Sequence, residues 1–386
     1  MFKKILSVLM VVAMVACLFA ACGGNEDAGK SDATTFQIGA IGPTTGDAAI
    51  YGQAVMNAAQ LAVDEINAAG GVNGVKLEFK AADDEHNAEK SVNAYNDLKD
   101  WGMQILLGTV TSTPCIAVVE EAHNDNMFML TPSGSAVDCI KYDNAFRVCF
   151  SDPNQGIASA DYIASQKLGT KIAVIYNSSD PYSSGIYEKF MAEAAVKGLN
   201  VVAQGAFTAD TKTDFTVQLQ QAKTAGADLL FLPIYYQEAS LILAQADKMG
   251  YDPAVFGVDG MDGILTLENF DTKLAEDVML LTPFAADAQD KLTQDFVNSY
   301  KAKYNEVPNQ FAADAYDGIY IIKAAIEKAG ATPDMSTEEL CNALKGAMTQ
   351  ITVDGVTGLG MTWTADGEPN KAPKGMKIQN GAYVAM

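Results

Sequence analysis

Short apolar runs alternate along the chain with longer stretches whose apolar side chains recur every third or fourth position. The first pattern is that of buried strands, the second that of helices packed by one face. Residues 36–41 open the series as a strand, which ends in the turn Gly42-Pro43-Thr44-Thr45-Gly46. A helix over 51–68 follows, with Val55, Ala59, Ala62 and Ile66 on one side and Gly70-Gly71 to stop it. Further strands are predicted at 75–82, 105–108, 127–130 and 145–150, with a helix around 88–99. Another helix opens at Pro114, whose missing N–H costs nothing in a first helical turn.

After Ser151-Asp152-Pro153-Asn154-Gln155 the alternation restarts. A strand at 172–176 leads to a polar loop over 177–185 and a helix to Lys197, then a strand near Val201 and a helix over 214–225. Strand 229–232 ends in Pro233-Ile234-Tyr235-Tyr236, and a helix leads on to strand 255–258 and the loop Asp259-Gly260-Met261-Asp262-Gly263. Strand 279–282 and amphipathic helices over 290–304 and 314–329 read as a return to the first series. Last strands around 360–364 and 376–384 finish the second. Two consecutive βα series predict an α/β protein of two doubly wound lobes. The lobes are predicted as 36–149 plus 284–355 and 150–283 plus 356–386, joined by a multi-strand hinge with a cleft between them. The 386 residues suffice for two such domains.

The beginning of the chain follows a different pattern. Lys3 and Lys4 precede an apolar run over 5–21, which reads as a secretory signal. Ala20-Ala21-Cys22-Gly23 is similar to the bacterial lipobox, with Phe19 in place of the more usual Leu. That resemblance implies a signal over 1–22 and a lipidated Cys22 anchoring the protein outside the cytoplasm. Residues 23–35 read as a flexible tether. Four cysteines remain, Cys115, Cys139, Cys149 and Cys341; they allow three pairings or four buried thiols.

A formal charge of −22 argues against nucleic acid and anionic membrane surfaces as partners, since both reward Lys and Arg patches. The two histidines, His86 and His123, each stand alone on polar stretches and read as solvated. No metal site, cofactor fingerprint or nucleophile motif occurs, so nothing in the spacing points to an enzyme. The loops at the predicted strand ends carry hydroxyls, tyrosines and one well-placed acid instead. Thr109-Val110-Thr111-Ser112-Thr113 and Thr131-Pro132-Ser133-Gly134-Ser135 leave neighbouring strands, and the helix at Pro114 aims N–H groups at the first. With Tyr51, Tyr182, Tyr235, Tyr236 and Asp259, they make an inventory for a zwitterion. It comprises donors for a carboxylate, an anion for an ammonium and aromatic walls between.

The stretches GPTTGDAAIYGQ, AVDEINAAGGVNGVKLE, LLGTVTST, MLTPSGSA, FRVCFSDPNQG, DPYSSG, PIYYQE and FGVDGMDG resemble the extracytoplasmic branched-chain amino acid binding proteins of ABC transporters. The resemblance covers nearly the whole chain after the tether. It implies the type I periplasmic-binding-protein fold, no cofactor, an amino acid ligand, a membrane permease as partner and a monomer. It also implies roles for individual residues. Ser112, Ser133, Ser135 and Tyr182 would hold the ligand carboxylate, and Asp259 the ammonium. Tyr51, Tyr236 (or Tyr235) and Phe311 would line the side-chain pocket. Where the best-known members carry a disulfide, this chain has Glu85 and Thr111. Alternatives are an amide, urea or aromatic-acid ligand on the same scaffold, or a sensor feeding a receptor.

Overall fold

A computed structural model describes residues 34–386; Cys22, the signal segment and the tether over 23–33 lie outside the described residues. The first sheet is built from β1 (Phe36–Gly42), β2 (Leu77–Asp83), β3 (Ile105–Gly108), β4 (Phe128–Thr131) and β5 (Ala145–Arg147), in the order β2-β1-β3-β4-β5. All pairs are parallel, with Ile38 opposite Ile105 and Leu107 opposite Leu130. β3 and β4 are buried at every residue, as their unbroken apolar runs require of strands covered on both faces. The covering helices are α1 (Ala49–Ala68), α2 (Ala88–Trp101) and α3 (Ser112–Asn124).

The second sheet contains β6 (Ile172–Asn177), β7 (Val201–Phe207), β8 (Leu229–Leu232), β9 (Ala254–Gly257), β10 (Met279–Thr282), β11 (Lys374–Gln379) and β12 (Ala382–Ala385). Their order is β12-β11-β10-β9-β8-β6-β7, parallel from β7 to β10 and antiparallel in the β10–β11 and β11–β12 pairs. Around it lie α4 (Asp152–Gln166), α5 (Pro181–Lys197), α6 (Thr216–Ala225) and α7 (Tyr236–Lys248). The chain then returns to the first sheet with α8 (Lys291–Tyr304), α9 (Gln310–Ala329) and α10 (Thr337–Met348), of which α9 packs on α1 and α10 on β4.

Several expected elements differ. The strand predicted from 75 starts at Leu77, because Val75 pairs with Val72 across the turn before it. The strand over 145–150 stops at Arg147, and the remaining residues cross towards α4. The helix expected from 314 begins at Gln310, where the Asn309 side chain accepts from Ala312 N at 3.0 Å. α10 was not anticipated; its start carries a capping box formed by Ser336 and Glu339. Residues 360–364 form no strand and make only isolated bridges, Val353 with Met361 and Trp363 with Pro369.

That last segment packs on the first lobe's side of the hinge, not on the second sheet. Trp363 Nε1 donates to Arg147 O at 2.8 Å, Thr357 N to Asp317 Oδ2 at 2.9 Å, and Lys371 Nζ to Asp314 Oδ1 at 2.7 Å. Buried polar anchors in α9 hold these residues in place. Among the described residues, no helix is long and apolar enough to cross a membrane.

Candidate functional site

The two serine loops leave neighbouring strands and are stitched together by their own hydroxyls. Gly108 lies against β1 so closely that a Cβ there would sit 2.9 Å from Ile41 N and O. The following loop enters α3 at Ser112, two residues before the proline expected to open the helix. Thr131 Oγ1 donates to Thr109 O at 2.7 Å and accepts from Gly134 N at 2.8 Å. Ser133 Oγ donates to Val110 O at 2.7 Å, and Ser112 Oγ accepts from Ala136 N at 3.2 Å. The hydroxyls thus set the loops' shape, while the first turn of α3 presents N–H groups to the space beside them.

Across the cleft, the second lobe contributes a carboxylate and aromatic rings. Tyr182 OH donates to Asp259 Oδ1 at 2.6 Å and accepts from Gly260 N at 2.9 Å. A side chain at Gly260 would put its Cβ 2.5 Å from that hydroxyl, so only glycine allows this approach. Tyr235 stacks on Tyr182 with centroids 4.6 Å apart. Asp259 is further fixed by Gln155 Oε1, which accepts from its N at 3.1 Å, and by Gln310 Nε2, which donates to its O at 2.6 Å.

Tyr51 joins the two sides. Its hydroxyl donates to Gly260 O and accepts from Tyr236 N at 3.2 Å, while its ring lies 4.2 Å from that of Phe311. Between these groups the walls leave a cavity of only about 10 Å³, room for about one water. Ser112, Ser133, Tyr182, Asp259, Tyr51 and Phe311 all border it. Tyr235 lines the space, whereas Tyr236 backs the Tyr51 ring edge-on at 4.9 Å. Ser135 also stands behind the cavity wall, buried beside Asp152.

Burial dominates the electrostatics. It raises the Asp259 carboxyl to about 7, against the help of the Tyr182 and Gln155 hydrogen bonds. Asp180 is likewise pushed up to about 6. Asp152 is 1 % exposed and meets no donor at good hydrogen-bond geometry; burial holds it well above the carboxylate range, eased by the Ser135 hydroxyl.

Asp152, Asp180 and Gln155 were not singled out from the sequence. Asp152 and Gln155 lie in the first turn of α4 and Asp180 caps α5, and such helix starts are the positional signal that could have flagged them. Val110 and Thr111 also line the cavity and lie in the loop already suspected. His86 corrects an expectation, since it is not solvated. Its Nδ1 lies 2.8 Å from Thr111 Oγ1 and its ring meets Tyr235 edge-on at 5.6 Å. Burial, and then the Lys212 charge, lower it to about 4. His123 is exposed and stacks on Tyr142. Cys115, Cys139, Cys149 and Cys341 are buried thiols.

A model of the periplasmic binding protein family matches residues 35–382. The Leu/Ile/Val-binding protein homolog 3 of Brucella melitensis is 31 % identical over 82 % of this chain and 84 % of its own length. The branched-chain amino acid transporter substrate binding protein LivJ of Streptococcus pneumoniae, solved with isoleucine, superposes with a TM-score of 0.83. It is 29 % identical and covers 91 % of this chain and 98 % of its own. A solute binding protein of an R. palustris ABC transporter, solved with benzoate, shares the fold with a TM-score of 0.80. It is 19 % identical, covering 91 % of this chain and 95 % of its own.

Proposed function

Given that the chain belongs to the periplasmic binding protein family, with the type I two-lobe fold and a binding role, not an enzymatic one, we propose that it captures an α-amino acid outside the cytoplasm and delivers it to an ABC permease. The Leu/Ile/Val-binding relative and the isoleucine-bound neighbour support a branched-chain or other hydrophobic side chain. The observation that carries this reading is the placement of Asp259. It faces, across the cavity, a neutral wall of hydroxyls and a helix N-terminus. An ammonium and a carboxylate on one carbon satisfy both ends at once, while Tyr51, Tyr235 and Phe311 offer apolar surface between them.

Binding and lobe closure are one event in this proposal. A ligand touching both walls stabilises the arrangement in which they meet and nothing else, so its affinity difference drives the change. Tyr51 to Gly260 and Lys212 to Asp47 at 2.7 Å are contacts that closure makes. The closed monomer is what the permease would recognise. Lipidation at Cys22 would keep it near the membrane, and Cys22→Ser should release it from the membrane fraction or leave the leader uncleaved.

The test is a thermal-shift panel of the twenty amino acids with benzoate, an aliphatic amide and urea, followed by calorimetry. A ligand at about 100 times its dissociation constant adds roughly 2.7 kcal/mol. Stabilisation by benzoate alone would replace the amino acid reading with an aromatic-acid one, for which the R. palustris complex is the precedent in this fold. The Asp259 carboxylate opposes that outcome, because an anionic ligand without an ammonium would leave it uncompensated.

A further inference from the structure

Arg147 is 0 % exposed, yet its side chain lies outside the cavity and takes no part in the site contacts described above. It closes β5, and its guanidinium faces the backbone of the second serine loop. Nη1 donates to Gly134 O at 3.3 Å and to Ser135 O; Nη2 donates to Ala136 O at 3.0 Å and Val137 O at 3.5 Å. Four successive carbonyls therefore converge on one cation. The carboxylate that approaches it, Glu368 Oε2, stays at 3.5 Å from Nε. A buried guanidinium is costly unless its donors are used, and here backbone carbonyls use those of Nη1 and Nη2, while the buried Nε makes no hydrogen bond.

The consequence follows from peptide geometry. In a trans peptide the carbonyl of one residue and the N–H of the next point to opposite sides. Carbonyls 134 and 135 directed at Arg147 therefore turn the N–H groups of Ser135 and Ala136 away from it. The Ala136 N–H shows where that direction leads, since it donates to Ser112 Oγ in the first serine loop. We propose that Arg147 is a positioning residue for anion recognition: it orients the peptide planes at 134–136 so that the Ala136 N–H holds the Ser112 oxygen and leaves the Ser112 O–H, which borders the cavity, to a ligand carboxylate. This rests on the reading of the two serine loops as the carboxylate end of the site.

The hinge sets Arg147 in turn. Trp363 Nε1 donates to its carbonyl at 2.8 Å, its own N donates to Gly367 O at 3.1 Å, and Glu368 lies beside its guanidinium. The connection running towards β11 therefore holds the residue that shapes the loop.

The experiment is calorimetry with L-leucine and L-leucinamide on the parent, Arg147→Met, Arg147→Lys and Glu368→Gln, with melting temperatures taken in parallel. Leucinamide keeps the ammonium and the side chain but carries no carboxylate, so it reports general damage to the cleft. Arg147→Met is expected to weaken leucine at least about tenfold and leucinamide by less than about twofold, as loss of a charge-assisted hydrogen-bond set implies. Arg147→Lys should restore part of the preference, since an ammonium faces fewer carbonyls. Glu368→Gln should shift the preference in the same direction by less. Equal proportional loss for both ligands, or no loss, in variants with the parent's melting temperature would overturn the proposal. If Arg147→Met does not fold, the lysine and Glu368 variants decide in the same way. A parent that binds leucine no better than leucinamide overturns the carboxylate site itself, a result separable from failure of Arg147 alone.

Discussion

The two walls of the cleft solve different problems. On the first lobe, Ser112, Ser133 and Thr131 are neutral, and each is already hydrogen-bonded to the neighbouring loop. That wall is finished before any ligand arrives. On the second lobe, Asp259, Asp180 and Asp152 are buried carboxyls whose ionised forms are penalised. That wall is under electrostatic tension, which a cation would relieve. The contrast teaches that the first side supplies shape and the second supplies most of the discriminating charge.

Asp259→Asn should break the contrast most severely. It keeps the side chain's shape and leaves a desolvated ammonium uncompensated, at a cost of about 2–5 kcal/mol in affinity by calorimetry. Equal affinity in parent and variant would mean that the ligand is not held by an ammonium.

Ser112→Ala attacks the other wall. It removes the acceptor for Ala136 N and a candidate donor to the ligand, at a cost of about 1.5–3 kcal/mol, or roughly ten- to a hundredfold. A change under about twofold would show that helix N–H groups alone carry the anion.

The pH dependence sharpens the comparison, because it should arise from the charged wall. Asp259 is raised from 3.8 to about 7, so the empty folded protein keeps a proton that the unfolded chain has lost. The associated stability is fully present below about pH 4 and is lost as pH rises through 7. Asp259→Asn should therefore gain stability relative to the empty parent between pH 5 and 8, read by thermal or urea unfolding. Ligand affinity should run the other way in the parent, rising up to about tenfold per pH unit towards 7 as the carboxylate ionises. His86 is lowered from 6.5 to about 4, so its contribution is present above 6.5 and lost as pH falls through 4. His86→Gln should remove only this shallower acid-side loss.

Asp262→Asn should have the smallest effect. Asp262 Oδ2 accepts from Gln310 N at 2.8 Å at the start of α9, and an asparagine oxygen can do the same. Affinity should stay within about twofold of the parent, since a neutral acceptor replaces a charged one outside the cavity. A loss as large as that of Asp259→Asn would move the ammonium site.

Much of this arrangement could be read along the chain. The apolar runs at 105–107 and 229–232 and the helical spacing over 51–68 reflect burial of whole faces, which local composition records directly. Turn chemistry placed the polar loops, so Ser112, Tyr182 and Asp259 were singled out from position and Ser133 from the resemblance, and all four border the cavity. The segment after 349 was less legible. It is held by Asp317, Asp314 and Arg147, residues far away in sequence, and its own pattern offered a strand that never forms.

By itself, then, the sequence determined most of the strands and helices, their division into two βα series and the polar loops at the strand ends. Those features depend on periodicity and on residues close together in the chain. Only the tertiary structure decided that Tyr235 lines the cavity while Tyr236 supports Tyr51, and that His86 lies between Thr111 and Tyr235. It alone brought Asp152 to the Ser135 hydroxyl and Arg147 to four carbonyls of one loop. The physical reason is that burial and charge compensation depend on which distant groups share a space, and no local pattern encodes that.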